Sequence, residues 1–378
     1  MLSTDEILAQ PGEADPKLPE RQALGRSREG REIHGYRFGH GALRVSLIAG
    51  CHADEPVGPA LLARLADYLA ERTRHRPEAP ELTRASWWLV PHVNPDGRAA
   101  NAAWQEPPPA LAQGYDLPRY LDHVVRELPG DDLEFGFPPK GSASAETPEP
   151  SIEPRPEARA VAGFFRDAVE RDGEPFHLHA TLHGMAFAAG PWFLLEASWA
   201  ERTAQMQERL RSLVKELGYR LHDVDRGGEK GFRRLSEGFS TRPDSRAMAK
   251  HFRDAGDEAT ARLFLPSSME YVRSLGGDPL TLVSEMPLFL VTGDAEESPE
   301  GGSEGRPPLP DDAQGRLRFR EWLEKLRRLG DGGDLDAVRR EAARAGLRAM
   351  PVGDQMRLQL AYVREALEIV AAGISAHG

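Results

Sequence analysis

His52 and Glu55 stand three positions apart in the run Leu47-Ile48-Ala49-Gly50-Cys51-His52-Ala53-Asp54-Glu55-Pro56-Val57-Gly58. At that spacing in a turn, an imidazole nitrogen and a carboxylate can converge on one point. The apolar residues before them (Leu43, Val45, Leu47, Ile48 and Ala49) read as a strand. The pair is therefore expected at the carboxyl end of a strand, where open α/β sheets place their ligands. Two protein ligands do not complete a catalytic zinc site, which needs a third and an open position for water. His183 is the candidate: residues 176–183 read FHLHATLH and are followed by Gly184, a second strand-then-turn with histidine at its end. One short spacer and one distant histidine from a neighbouring strand suit a catalytic zinc.

The remaining polar residues nearby divide into candidates and scaffolding. His177, His179 and His183 share one strand face by period two. A His-x-His pair can chelate metal, but here it follows a separate His/Glu pair, so His177 and His179 are read as core or supporting groups. His92, two positions before Asn94, is read as structural. Cys51 precedes His52, and adjacent strand residues point to opposite faces, so Cys51 is expected buried and inert. Asp96 is a candidate partner behind a metal ligand, the alternative being that it only closes its turn.

Several further motifs fall in an order that resembles the zinc carboxypeptidases. Gly25-Arg26-Ser27 through Gly30-Arg31 is similar to that family's opening motif. Asn94-Pro95-Asp96-Gly97, after Trp87-Trp88-Leu89-Val90, matches its NPDG. Pro156-Glu157-Ala158-Arg159-Ala160-Val161 is similar to a helix start of the family, and Leu280-Thr281-Leu282-Val283-Ser284-Glu285 to the strand that ends in its catalytic glutamate. The resemblance spans roughly residues 22 to 290 and implies one Zn2+ per chain on His52, Glu55 and His183, with Glu285 as general base. Amide hydrolysis needs such a set: an activated water, a proton acceptor that becomes a donor, and positive charge beside the oxyanion. The bland alternative for Glu285 is a strand-end carboxylate capping a turn.

One departure concerns the substrate. The family grips a terminal carboxylate with an Asn-Arg pair after Asp-Leu; here Asp132-Leu133 is followed by Glu134 and Phe135. Glu134 is accordingly read as a substrate-facing residue that would repel a free C-terminus. Arg119, in Asp116-Leu117-Pro118-Arg119-Tyr120, is the upstream alternative for a cation. Arg126 and Arg98 both stay open as the oxyanion arginine. Tyr271 is a candidate substrate-contacting tyrosine, or a half-buried residue of an amphipathic helix. The expected function is amide (peptide) bond hydrolysis of carboxypeptidase type. A small-molecule N-acyl amino acid deacylase resembling aspartoacylase, or a metal-binding module without catalysis, are the alternatives.

The elements that must position these residues are legible in the pattern of the chain. Strand readings at 43–49, 86–93, 176–183 and 280–285 alternate with helical ones at 56–71, 157–171 and 200–217, which indicates a mixed, largely parallel central sheet with helices on both faces, an α/β fold. Residues 1–22 read as a loosely packed N-terminal arm, 23–293 as the catalytic domain, 294–312 as a linker rich in Gly, Pro and acidic residues, and 313–378 as a helical extension. Within the extension, 353–373 carries Met356, Leu360, Val363, Leu367 and Val370 at helical spacing, a stripe for packing or self-association into a homo-oligomer. Residues 138–156 read as a surface loop. The stretch 222–265 reads as an insertion near the site, whose Arg226, Lys230, Arg233 and Arg242 either hold an acidic substrate or form a solvated face.

The 378 residues carry a net charge of −12, which argues against nucleic acid, since phosphate binding wants clustered Lys and Arg. No stretch approaches the ~20 apolar residues of a membrane span. One cysteine and an N-terminus without the pattern of a secretion signal give the expectation of a cytoplasmic protein.

Overall fold

The computed structural model describes residues 2–13, 18–139, 153–292, 313–331 and 333–375. The strands are β1 (Arg21–Arg26), β2 (Glu32–Phe38), β3 (Leu43–Ala49), β4 (Ala85–Val90), β5 (Leu178–Ala188), β6 (Trp192–Leu195), β7 (Arg234–Ser236), β8 (Phe239–Thr241), β9 (Leu280–Val291) and β10 (Leu347–Ala349). They form one sheet in the order β1-β2-β4-β3-β5-β9-β6-β8-β7, with β10 also paired to β9. The central run β4-β3-β5-β9 is parallel, as is β6 with β8. The remaining pairings are antiparallel.

Strand β3 is buried along its whole length, as a strand must be when helices cover both faces. Its alternation divides the core: Val45, Leu47 and Ala49 enter one apolar cluster and Ile48 the other. The first face is covered by the helices Val57–His75, Ala204–Glu216 and Val352–Ser375. The second is covered by Pro156–Asp172 and Ser268–Ser274. The expected α/β architecture is the observed one, with antiparallel strands added at its flanks.

Two expectations are corrected by packing. The N-terminal segment is not a loose arm: Thr4–Leu8 is a short helix capped by Ser3, and Leu2, Ile7, Leu8 and Leu18 are buried in the main core. The apolar side chains among its polar ones account for this. The apolar stripe of the last helix is not free for self-association either. Met356, Leu360, Val363, Leu367 and Val370 are all buried against the sheet and neighbouring helices of the same chain. Gln359 donates to the backbone carbonyl of His183 at 3.0 Å and to Ser284 Oγ at 3.2 Å. Tyr362 donates to the carbonyl of Leu194 at 2.9 Å. The helical tail is thus a layer of the core and ties β5, β6 and β9 together. The 294–312 linker reading lies outside the described residues. No described helix is long and apolar enough to cross a membrane.

Candidate metal centre and active site

The turn after β3 begins at Gly50, whose φ of +70° is a conformation open to glycine at no steric cost. A Cβ there would meet the His92 ring at 2.8 Å, so the turn leaves room only for glycine beside that side chain. The next turn, Asn94-Pro95-Asp96-Gly97, opens a helix (Pro95–Gln105) with Pro in its first turn and the Asn94 side chain capping Gly97 N at 2.9 Å. Glu127 joins the two turns, accepting from Ala53 N at 2.9 Å and from Asn94 Nδ2 at 2.6 Å. Burial pushes its carboxyl up to about 6. The His52–Glu55 turn is therefore held rigidly from outside.

Within that frame His52, Glu55 and His183 converge. Glu55 Oε1 lies 2.7 Å from His52 Nδ1, Glu55 Oε2 lies 2.8 Å from His183 Nδ1, and the two Nδ1 atoms are 3.2 Å apart. One ligand atom from each residue fits within 4.8 Å of the others. The outward nitrogens are each met by a carboxylate: His52 Nε2 by Asp132 at 3.2 Å and His183 Nε2 by Glu134 at 3.3 Å. Carboxylates in those places fix ring orientation and tautomer and raise ligand basicity. Burial penalises charge on both imidazoles, yet the surrounding carboxylates prevail. They hold His52 well above the usual histidine range and raise His183 to about 10. Burial opposes ionisation of Glu55, and His52 and His183 more than reverse it. Four carboxylates (Glu55, Asp132, Glu134 and Glu285) around two imidazoles leave the cluster short of positive charge, and two imidazole nitrogens with one carboxylate are donors that zinc accepts. The residues fit the ion.

A second grouping, Cys51, Glu134 and His183, is also close. Cys51 is fully buried, and burial, reinforced by Glu134 and Asp132, pushes its thiol well up. Cys51 lies in the turn after β3, packed in the apolar cluster of Ile48 and Trp88 with its thiol beside Glu134, so it is buried as expected.

Glu285 sits on β9 as the direct register partner of His183 on β5. The parallel ladder thus sets ligand and carboxylate side by side on one sheet face. Burial first, and next the charge of Glu55, push the Glu285 carboxyl up to about 8, against the pull of His183, His52 and Arg226. A bound cation would pull the same way as these last three.

Arg126 reaches the cluster: its Nε lies 3.0 Å from Asp54 Oδ2, within the His52–Glu55 turn, and it feels the charge of Glu55. Arg98 does not. It is exposed, pairs with Glu106 at 3.4 Å, and lines a separate cleft of about 920 Å³ together with His34, His92 and Tyr115.

Three substrate candidates are corrected. Glu134 is buried behind His183 and accepts from Ser268 Oγ at 2.9 Å, so it backs a candidate ligand instead of lining open space for a substrate. Its neighbour Phe135 packs edge-on against Phe264. Tyr271 is buried and donates its hydroxyl to the carbonyl of Ala162 at 3.0 Å, because its helix, fixed by a Ser267/Glu270 capping box, turns that face onto helix Pro156–Asp172. Arg119 donates to the carbonyls of Ala103 and Glu106, closing a helix end. Asp96 binds Ser27, Arg31 and the amide of Glu29 and takes no part behind the ligands. His177 accepts from Arg44 N, and His179 lies between Ser46 and Ser268, consistent with supporting roles. The residues that sequence reasoning passed over are Asp54, Asp132 and Ser268. The Asp132-Leu133 pair was a visible signal for the second of these; nothing marked the other two.

A profile described as zinc carboxypeptidase matches residues 5–243. Carboxypeptidase D of Drosophila melanogaster is 28% identical over 193 residues, which cover 49% of this chain and 13% of that protein. The chain thus spans a small part of the length of that relative. Carboxypeptidase A from Helicoverpa armigera superposes with a TM-score of 0.46 at 12% identity, covering 95% of this chain and 71% of that one. A metallo-carboxypeptidase from Burkholderia cenocepacia superposes with a TM-score of 0.38 at 15% identity, covering 95% and 66%.

Proposed function

The chain belongs to the zinc carboxypeptidase family, and from that premise we propose that it hydrolyses peptide bonds with one zinc held by His52, Glu55 and His183 and with Glu285 as general base. The observation that carries this reading is the register pairing of Glu285 with His183, beside three converging ligand atoms. A module that only bound metal would need no such carboxylate. When bound, zinc supplies an acidified water and polarises a carbonyl. Glu285 accepts a proton from the attacking water and returns it to the leaving nitrogen. A carboxyl raised by a shielded site suits both halves of that exchange. Arg126, steadied by Asp54, offers its guanidinium to the oxyanion. Asp132 and Glu134 keep both imidazoles turned with Nδ1 inward.

The test is a panel of peptides and N-acyl amino acids offered to zinc-loaded protein, with Glu285→Gln and His183→Ala beside the parent. Glu285→Gln is expected to keep its zinc and lose ~10²–10⁴-fold in kcat; His183→Ala is expected to lose the zinc. Retention of more than about a tenth of parental turnover by Glu285→Gln would overturn the assignment of the base. Turnover of acyl amino acids alone would favour the deacylase reading.

A further inference from the structure

Since Glu134 and Phe135 are buried, the Asp-Leu-Glu-Phe stretch offers no cation to a substrate. A cation reaches the site from a different element. Arg226, in the segment between Trp192–Leu195 and β7, lays its guanidinium over the rings of Trp192 at 5.2 Å and Phe232 at 4.7 Å. These rings stack on each other at 5.0 Å. Trp192 is the cross-strand partner of Glu285, and directly opposed residues of an antiparallel pair share a face. The platform under Arg226 is therefore next to the Glu285 carboxylate. The Nε of Arg226 is buried and has no hydrogen-bond partner among the described residues. Burial is also the largest influence lowering its pKa. Arg316, paired with Glu229 at 3.0 Å, and Lys230, over Phe252 at 5.6 Å, add positive charge to the same segment. Aromatic faces compensate part of the lost hydration of a guanidinium, but its donors are satisfied by a planar anion that it can grip in a fork.

The two arginines stand beside different residues of the cluster. Arg126 pairs with Asp54 in the His52–Glu55 turn, and Arg226 lies over Trp192, the cross-strand partner of Glu285. If Glu285 protonates the leaving nitrogen, the leaving fragment lies on the side of Arg226. We propose that Arg226, braced on Trp192 and Phe232, is the specificity residue that binds a carboxylate of the leaving residue, in place of a clamp from the 132–135 stretch. This rests on the reading of Glu285 as base. The carboxylate comes from either of two sources, the C-terminus itself or an acidic side chain beside it.

Three matched peptides separate the sources: one ending in a free-acid alanine, one in alanine amide, and one in glutamate α-amide. The zinc-loaded parent is expected to prefer a carboxylate-bearing substrate over the alanine amide. In Arg226→Gln that preference is expected to fall roughly ten- to hundredfold, the scale of a lost hydrogen bond to a charged group, with Arg226→Lys restoring part of it. Collapse for the alanine acid assigns the C-terminus; collapse for the glutamate amide assigns the side chain. Equal losses on all three substrates, or an unchanged preference, would overturn the proposal. Calorimetric binding of 3-phenylpropanoate and 3-phenylpropanamide to zinc-loaded parent and Arg226→Gln gives a readout independent of turnover. The acid is expected to lose about tenfold in affinity relative to the amide, and no relative change would also overturn the proposal. A protein that discriminates in binding but cleaves nothing would refute the reading of function while upholding that of Arg226.

Discussion

Each imidazole of the candidate metal centre is backed by a buried or half-buried carboxylate, and the two cases differ in what else they hold. Asp132 also accepts from the backbone amide of Glu134 at 2.8 Å, so its removal disturbs a turn. Glu134 meets side chains, those of His183 and Ser268 with the Cys51 thiol beside it, and its replacement leaves that turn intact. Glu134→Gln is expected to weaken zinc binding ~10–100-fold without altering the choice between acid and amide substrates. Competition with a chelator of known affinity measures the first and matched-substrate kinetics the second; unchanged zinc affinity would refute the supporting role. The candidate ligands could be read from residue type and spacing because a His-x-x-Glu turn is local. The role of Glu134 could not, because position after Asp-Leu says nothing of which way a side chain turns, and burial behind His183 depends on Ser268, far along the chain. Tyr271 failed for the same reason: an amphipathic helix has two faces, and which one meets the site is decided by packing.

At the level of elements, the site is a product of the β5–β9 ladder and of the helix laid across it. That helix buries Leu367 completely. Leu367→Ala is expected to cost roughly 2–5 kcal/mol, read as a lowered urea midpoint with little change in slope. A loss under about 0.5 kcal/mol would mean that the helix is an appendage, as the sequence alone suggested. The central strands and long helices were legible because each is an unbroken apolar or periodic run. The short strands β1, β2, β6, β7, β8 and β10 were missed: runs of three to seven residues carry little periodic signal, and those of β6 and β10 find their partner in β9, far along the chain. The tail was misjudged in role and not in kind, since the same stripe of apolar residues serves a dimer seam or a core.

For the molecule as a whole, acid resistance turns on a few desolvated ion pairs. Arg44, on β3, donates to Asp172 at 2.6 Å across the end of helix Pro156–Asp172. Partial burial opposes the ionised carboxylate, but Arg171 and Arg44 together draw its pKa down to about 2. A carboxyl held below its unfolded value near 3.9 contributes stability that is complete above about pH 4 and lost as pH falls toward 2. Asp172→Asn should therefore lower unfolding free energy by roughly 2 kcal/mol at neutral pH, with the difference from the parent shrinking toward pH 2. Urea titrations across that range would show it, and a gap that widened on acidification would reverse the sign. The overall charge of −12 works in the opposite direction, since mild acid relieves self-repulsion before it breaks such pairs. The bond from Gln359 to the His183 carbonyl has a consequence in time. A ribosome delivers His183 and Glu285 well before residue 359, so the strands bearing the candidate ligand and base emerge with one face uncovered and the latch still missing. A growing chain can thus carry every candidate catalytic residue while the helix that backs their strands is still unmade.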